Sequence, residues 1–259
     1  MPDEGRDDSR SHLNDQVWGP TPTESVRRAV MAMHWDSLTL VHWSYQPSIV
    51  QQLLPPGLTV QTFDGLAWIS LVPFEMRVTV PGLGAPKWPC RFPETNVRTY
   101  VTAADGSQGI WFFSLDADRL SAVSAARLGY GLPYMWADMS VQRDGDVIEY
   151  QCQRRRPHRP ATSSIHVRIG QPFDQRELSE LDHFLSARWR LYGALGSRLV
   201  TARAVHEPWP LYRAELLRLD DQLVTASGLP SPVGEPIVQY APSVRVRVSR
   251  PQLVRSPGR

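Results

Sequence analysis

Lysine is almost absent from this chain of 259 residues, in which Lys87 is the one lysine among 28 basic residues. Chemistry that needs a lysine nucleophile is therefore restricted to one position. An excess of charge of one sign is absent too, because 28 basic and 26 acidic residues leave a net charge of only +2. No strong field is present to recruit nucleic acid or an acidic membrane surface, so we expect neither as a partner.

Cysteine and long apolar runs are scarce as well. Cys90 and Cys152 are too few for a disulfide framework, and neither has the spacing of a zinc site. We expect two buried thiols in a reducing compartment and no metal. No apolar run is long enough to span a membrane, and the first residues are acidic and polar, unlike a signal peptide. These absences predict a cytoplasmic protein.

Several familiar catalytic and cofactor motifs are missing too. The sequence has no Ser-His-Asp order, no phosphate-cradling glycine loop and no dinucleotide fingerprint, so no cofactor is expected. The one dense basic cluster, residues 154–159, lacks the stacking aromatics of a nucleic-acid site. We interpret it as the solvated end of a hairpin, with an anion subsite as the alternative.

The elements that are present predict a single, mostly β domain. Residues 1–28 are polar without an apolar period and are interpreted as a disordered N-terminal tail, residues 29–250 as the domain, and residues 251–259 as a C-terminal tail. Turn signals at Asp64-Gly65 and Asp144-Gly145 predict hairpins. About ten strands and three helices indicate an α+β, β-dominated fold, a closed or nearly closed antiparallel barrel with a few packing helices.

The predicted helices have unequal signals. Residues 47–54 follow a proline and end at Pro-Pro-Gly, and residues 122–126 are small and come after a predicted aspartate cap. The longest predicted helix begins at Asp174, which has capping-box spacing to Glu177, and runs to Tyr192 before Gly193. Residues 81–93, rich in proline and glycine, are either a functional lid or a rigid connector.

The central stretch is residues 93–136, in which a strand, a glycine turn, an aromatic strand, a helix and a Gly-Pro exit follow one another. On the first strand a period of two places Glu94, Asn96, Arg98 and Tyr100 on one face. A polar face is hard to explain against an apolar core, so we expect it to line an internal cavity. The alternative is a structural ion pair between Glu94 and Arg98 at the barrel mouth.

The sequence blocks PETNVRTYV, WFFSLDAD and GLPYMWADM resemble those of the acetoacetate-decarboxylase-like superfamily. The blocks LLPPGL, DGLAWISLVPF, RWRLYG, HEPWPL and YAPSVRVRV are similar, more closely, to an uncharacterised bacterial branch, the YqjF-like family 2071 of unknown function. The resemblance covers roughly residues 31–249 and depends on the order of the blocks. It implies the barrel fold of that superfamily, and superfamily analogy suggests a homo-oligomer.

The resemblance fails at one functional position. In the decarboxylases a lysine after the proline of the segment similar to GLPYMW forms a Schiff base with a keto acid, whereas this chain has Tyr134 and Met135 there. A decarboxylase mechanism through that lysine is therefore not available. Glu94, by contrast, matches a glutamate of the decarboxylase pocket, so the resemblance implies that the site persists without its nucleophile.

These arguments predict two functions of different classes. In the first, the protein is a lysine-independent lyase or isomerase-type enzyme on a small carbonyl or carboxylate compound. Glu94 is then the acid or base, Arg98 holds a carboxylate or enolate, and Tyr134 polarises a carbonyl. In the second, the barrel binds an apolar or aromatic molecule without turnover; a purely structural role is a third. The other predicted ligand-binding residues are His42, Trp68, Asn96, Tyr100, Trp111, Met135 and His206.

Overall fold

The computed structural model describes residues 21, 26, 29–79, 91–119, 129–155 and 159–254. Strands dominate, as predicted. The strands are β1 (Met31–Tyr45), β2 (Leu58–Val60), β3 (Thr62–Phe63), β4 (Leu66–Thr79), β5 (Arg91–Ala103), β6 (Gln108–Ala117), β7 (Tyr134–Asp144), β8 (Val147–Arg154), β9 (Thr162–Pro172), β10 (Arg190–Leu195), β11 (Arg198–His206), β12 (Tyr212–Asp221), β13 (Ile237–Val248) and β14 (Gln252–Leu253). The helices described over their full length are α1 (Pro47–Gln51), α2 (Glu180–Ser186) and α3 (Leu223–Ala226).

Strand pairing closes the sheet on itself twice. The order β1-β4-β5-β6-β7-β8-β9-β12-β13 returns to β1 and forms a closed barrel of nine strands. A second ring runs through β13, β1, β4, β5, β6, β10 and β11 and returns to β13. The two rings share β13, β1, β4, β5 and β6 as a common wall. The predicted barrel is therefore confirmed, although β6 pairs in parallel with both β7 and β10.

The common wall separates two apolar cores because successive side chains of a strand point to opposite faces. On β4, for example, Leu71 packs in the core of the nine-stranded barrel and Val72 in that of the second ring. On β13 the predicted alternation is confirmed, since Val244, Val246 and Val248 are buried while the intervening arginines are exposed. Residues of β5 therefore alternate between the two cores. Val97 packs in the core of the nine-stranded barrel, so Glu94, Asn96 and Arg98 face the interior of the second ring.

The predicted hairpins around Asp64-Gly65 and near Gly145 are present. Asp64 (φ 50°) and Gly65 (φ 76°) both adopt the left-handed conformation that a two-residue hairpin turn requires. Helix α1 begins at the predicted Pro47. The predicted helix at residues 122–126 and most of the predicted loop 81–93 lie outside the described residues. Val26 of the predicted N-terminal tail is buried, and β14 of the predicted C-terminal tail pairs with β11.

The predicted helix from Asp174 to Tyr192 is wrong at both ends. The backbone N–H of Asp174 does donate to Glu177, but that bond closes a turn; the capping box of α2 is formed by Ser179 and Asp182. The helix ends at Ser186, and residues 190–195 form β10, because pairing with β11 and β6 stabilises an extended chain there.

The prediction for the basic cluster is also wrong for its first residue. Arg154 is only 6% exposed. Its guanidinium forms a bidentate ion pair with Asp116, in which Nε lies 2.6 Å from Oδ1 and Nη2 lies 2.7 Å from Oδ2. A buried ion pair of this kind links β8 to β6. Arg155 is exposed and stacks on Trp136 with its guanidinium carbon 4.4 Å from the ring centre.

Candidate functional site

A cavity lies inside the second ring. The centre of a water molecule can occupy about 80 Å³ of this cavity. One buried water needs roughly 10–15 Å³ by the same measure, so the cavity is several times larger than that. It can therefore hold a small organic molecule. Its wall is largely apolar and includes Met31, Met33, Trp35, Leu38, Val72, Phe74, Met76, Ile110, Phe112, Leu115, Leu132 and Trp209. The polar side chains in the wall come from β5, β7, β10, β11, the end of α2 and the segment after it, and Tyr130.

Glu94 is the one acidic residue among the described lining residues. Its side chain, only 2% exposed, accepts a 2.8 Å hydrogen bond at Oε2 from the Tyr134 hydroxyl. Burial raises the pKa of Glu94 to about 8, although hydrogen bonds from Tyr134 and Asn96 act in the opposite direction. Desolvation of the charged form outweighs both bonds. Glu94 is therefore chiefly a neutral acid at neutral pH, and its proton is labile near that pH.

Tyr134 reaches Glu94 because β7 starts beside β6. The parallel pairing sets Leu115 opposite Tyr134, while antiparallel pairing sets Glu94 opposite Ala117 on the same β6. Tyr134 is 7% exposed, and burial together with the nearby Glu94 carboxyl holds the pKa of its phenol well above 10. The phenol is thus a donor at all ordinary pH values, directed at Glu94.

Two buried arginines occupy another part of the same wall. Arg98 on β5 and Arg188, between α2 and β10, are 3% and 4% exposed and both line the cavity. The guanidinium carbon of Arg188 lies 4.8 Å from the centre of the Tyr100 ring and 4.5 Å from that of Phe184. Sequence reasoning missed Arg188, because its segment was interpreted as part of a helix; the family block RWRLYG was the signal that could have identified it.

The ion pair between Glu94 and Arg98, the alternative interpretation of this face, is not among the interactions of the described residues. Arg98 is not one of the groups that shift the pKa of Glu94, and its Nε has no hydrogen-bond partner in the described part of the chain. Asn96 lies between them on the same face of β5, and its Oδ1 is likewise without a partner there. The carboxyl and the guanidinium therefore belong to separate parts of the wall.

His206 lines the cavity at the end of β11. Its Nδ1 lies 2.7 Å from the Glu207 carbonyl oxygen and its Nε2 3.3 Å from that of Arg188, and its ring packs against Trp189 and Trp209. Burial lowers its pKa to about 4 despite these two carbonyls, with Arg98 adding to the decrease. The imidazole is therefore neutral at neutral pH, so only one of its two nitrogens carries a proton and donates to one of these carbonyls.

Half of the predicted residues lie in the cavity wall. Glu94, Asn96, Arg98, Tyr134 and His206 line it, whereas His42, Trp68, Tyr100, Trp111 and Met135 are not among the lining residues. His42 instead belongs to a buried chain of hydrogen bonds. Its Nδ1 is 2.7 Å from Ser70 Oγ, and Ser70 Oγ is 2.7 Å from the Tyr100 hydroxyl. Tyr100 donates onward to the Leu185 carbonyl at 2.8 Å. This chain joins the common wall to α2 behind Arg188.

Within the described residues, no group of three or more His, Cys, Asp and Glu side chains is arranged to hold a metal ion. Every helix described is too short or too polar to cross a membrane.

Solved structures share this architecture. The enduracididine biosynthesis enzyme MppR complexed with pyruvate superposes with a TM-score of 0.63 at 15% identity, covering 89% of this chain and 93% of that one. An acetoacetate decarboxylase-like enzyme from Sphingomonas wittichii RW1 gives 0.62 at 17% identity over 90% and 96%. The acetoacetate decarboxylase of Legionella pneumophila gives 0.61 at 12% identity over 92% of each chain. The fold is therefore of the acetoacetate-decarboxylase-like class.

Sequence comparison narrows the assignment. The model of DUF2071, described as an uncharacterized conserved protein, matches residues 32–245. The uncharacterized protein YqjF of Bacillus subtilis (strain 168) is 36% identical over 219 residues, which cover 82% of this chain and 87% of YqjF. The chain belongs to the DUF2071 family, as the sequence blocks indicated.

Proposed function

We propose that this protein binds a small carbonyl or carboxylate compound in the cavity and moves a proton on it by acid–base chemistry at Glu94, without a Schiff-base lysine. The observation that carries the proposal is the Glu94 carboxyl itself: it is buried in an apolar wall, held by Tyr134, and its pKa is about 8. General acid–base groups are most effective when their pKa lies near the working pH.

In this proposal Glu94 and Tyr134 take over from the lysine route of the decarboxylases. The only lysine of the chain, Lys87, lies outside the described residues, and the expected lysine position is taken by Tyr134 and Met135. Tyr134 directs its proton to Glu94, so its proposed role is to orient that carboxyl rather than to polarise a carbonyl directly. MppR, a neighbour in fold, has been observed complexed with pyruvate, which supports a small oxo acid as the class of compound.

The proposed roles follow from the protonation states. At pH 7 Glu94 is mostly neutral and can donate to a ligand carbonyl oxygen. The ionised remainder can take a proton from the carbon next to that carbonyl, giving an enolate and a neutral Glu94. Arg98, in the other part of the wall, holds the carboxylate of the compound. Glu94 exchanges the acquired proton with solvent and returns one to the carbon, so the compound is unchanged apart from the exchanged hydrogen.

Deuterium exchange tests this step directly. Pyruvate, 4-oxopentanoate and 4-oxo-4-phenylbutanoate are incubated with the protein in D₂O, and NMR follows loss of the hydrogens next to the ketone. We expect catalysed exchange of at least one of them, reduced about 100-fold or more in Glu94→Gln. The matched control is Glu215→Gln, an exposed residue on β12. Exchange at the uncatalysed rate for all three, or undiminished exchange in Glu94→Gln, contradicts the proposal.

Binding without turnover is the second candidate function. The aromatic part of the wall favours it: the rings of Trp35 and Trp209 stack with centres 5.9 Å apart, and Phe74 lies 5.7 Å from Trp35. Such a surface can hold an apolar compound with no chemistry at Glu94. A compound that binds, is recovered unchanged and shows no deuterium uptake would establish this function in place of the first.

A further inference from the structure

We propose that Arg98 and Arg188 form an anion subsite that takes the single carboxylate of an apolar-tailed acid, with the tail against the aromatic wall. The inference depends on the proposed use of the cavity as a ligand site and specifies the ligand. It concerns binding only, and no chemical step is part of it.

The charge of the wall points to an anion. The described lining residues include Arg98, Arg188 and Arg190 but only one acid, Glu94. Glu94 does not compensate Arg98, because burial keeps Glu94 chiefly neutral and Arg98 is not among the groups that shift its pKa. Burial first, and then Arg98, lower the pKa of Arg188 to about 9. Two cations that disfavour each other in a desolvated wall are stabilised when a carboxylate enters between them.

A buried donor without a partner indicates where the carboxylate of such a ligand would bind. Arg98 Nε has no hydrogen-bond partner among the described residues, although Arg98 is 3% exposed. Buried donors are normally satisfied, so a missing partner at a cavity wall indicates a group that binds there. Guanidinium groups recognise carboxylates through paired N–H donors, which fits an acid better than an alcohol or an amide.

The side chain of Arg188 is held in place by several contacts. Its guanidinium packs against the rings of Tyr100 and Phe184 and donates from Nη1 to the Ala187 carbonyl at 3.1 Å. Tyr100 is itself held by Ser70 and by the Leu185 carbonyl. A long flexible side chain is thus fixed before binding, which reduces the entropic cost of capturing the ligand.

The rest of the wall selects what the carboxylate carries. Facing the cavity are Trp35, Phe74, Trp209 and three methionines, a surface that suits an aryl or branched alkyl group. A second charge on the ligand would be desolvated there without a partner. Arg98 and Glu94 are four residues apart on β5, about 13 Å of strand rise. A compound that touches both therefore needs a spacer between its carboxylate and its carbonyl.

Isothermal titration calorimetry on the full chain with four probes tests the subsite without any mutation. The probes are 4-phenylbutanoate, its primary amide, acetate and succinate, none of which has a ketone. We expect 4-phenylbutanoate to bind, and the amide, which keeps the tail but lacks the charge, to bind at least 10-fold more weakly. Acetate lacks the tail and succinate carries a second charge, so both should bind at least 10-fold more weakly as well.

Variants then assign the subsite to its residues. Arg98→Gln and Arg188→Gln should each weaken 4-phenylbutanoate at least 10-fold and reduce its advantage over the amide. Arg245→Gln, on the exposed face of β13, is the matched control and should bind normally. Near-UV circular dichroism identifies a variant that fails to fold, in which case Arg→Met at the same position, which keeps the length of the side chain and removes its charge, replaces it.

Each outcome decides the inference. No binding of 4-phenylbutanoate, or equal binding of acid and amide, overturns the anion subsite; equal binding of acetate or succinate overturns the apolar tail. Deuterium exchange on ketones is a separate readout. Acid binding without exchange would contradict the acid–base function and leave the subsite standing, while exchange without acid selectivity would do the reverse.

Discussion

Glu94→Gln should make the protein more stable, and increasingly so as the pH rises. The pKa of Glu94 is 4.5 in an open chain and about 8 in the folded protein, chiefly because of burial. Between these values the folded state binds more protons than the unfolded state, so the free energy of unfolding falls as pH rises. Glutamine has nearly the same shape and cannot ionise, so the variant does not incur this loss.

The two pKa values set the magnitude. Above pH 8 the folded protein bears a penalty of about 5 kcal/mol relative to a chain whose Glu94 ionises freely. Between pH 5 and pH 8, about 3–4 kcal/mol of this penalty develops. The difference in unfolding free energy between Glu94→Gln and the wild type should therefore grow by about that amount over this interval. Below pH 4.5 the penalty is absent, since both states of the wild type then carry a protonated glutamate.

Urea unfolding at pH 5, 6, 7 and 8, followed by tryptophan fluorescence, measures this difference. Other titrating groups change the stability of both proteins alike, and subtraction removes them. Glu215→Gln, whose side chain is exposed and binds Arg168 at 2.7 Å, should give a difference that stays within about 0.5 kcal/mol across the series. A Glu94→Gln difference that changes by less than about 1 kcal/mol would refute the assignment of Glu94 as a buried neutral acid.

Three further substitutions test particular contacts. Tyr134→Phe removes a hydrogen bond that lowers the pKa of Glu94. The pH above which the free energy of unfolding stops falling should therefore be higher in the variant than the value of about 8 in the wild type, and the same pH dependence in both proteins would count against the contact. Asp116→Asn removes the negative charge that faces the buried Arg154 guanidinium and should cost about 3–5 kcal/mol in urea unfolding, and a loss below 1 kcal/mol would show the pair to be solvated. Gly193→Ala would place a Cβ 2.2 Å from the Tyr130 carbonyl oxygen, so a lowered melting temperature is expected, and an unchanged one would contradict this close approach.

Local patterns predicted much of the barrel because they report on single strands and turns. The Asp64-Gly65 turn needs only left-handed backbone angles, and the valines of β13 need only one dry face, so both could be identified without knowing their neighbours. The two rings could not be predicted in this way. They depend on the parallel pairing of β6 with β7 and β10, which joins segments distant in sequence and leaves no signal in either one.

The segment around Arg188 shows where the periodic signal misleads. Leu178, Leu181 and Leu185 fit one face of a helix, and Tyr192 continues the same period. The chain nevertheless leaves the helix after Ser186, and Tyr192 packs against Leu58 and Val101 from strand β10. The spacing of Tyr192 is a coincidence of two elements that follow each other, and only tertiary pairing separates them.

That same error concealed half of the proposed anion subsite. The polar face of β5 could be predicted from its period, because Glu94, Asn96 and Arg98 are two residues apart on one strand. Arg188 reaches the wall from a different element, and its place depends on the helix end and on the Tyr100 and Phe184 rings that support it. A site built on one strand is visible in a sequence, whereas a site completed by a residue between a helix and a strand becomes visible only when the boundary between them is known. If the subsite binds a carboxylate as proposed, substitution of Arg98 and substitution of Arg188 should therefore both weaken ligand binding, although nothing in the spacing of the two residues connects them.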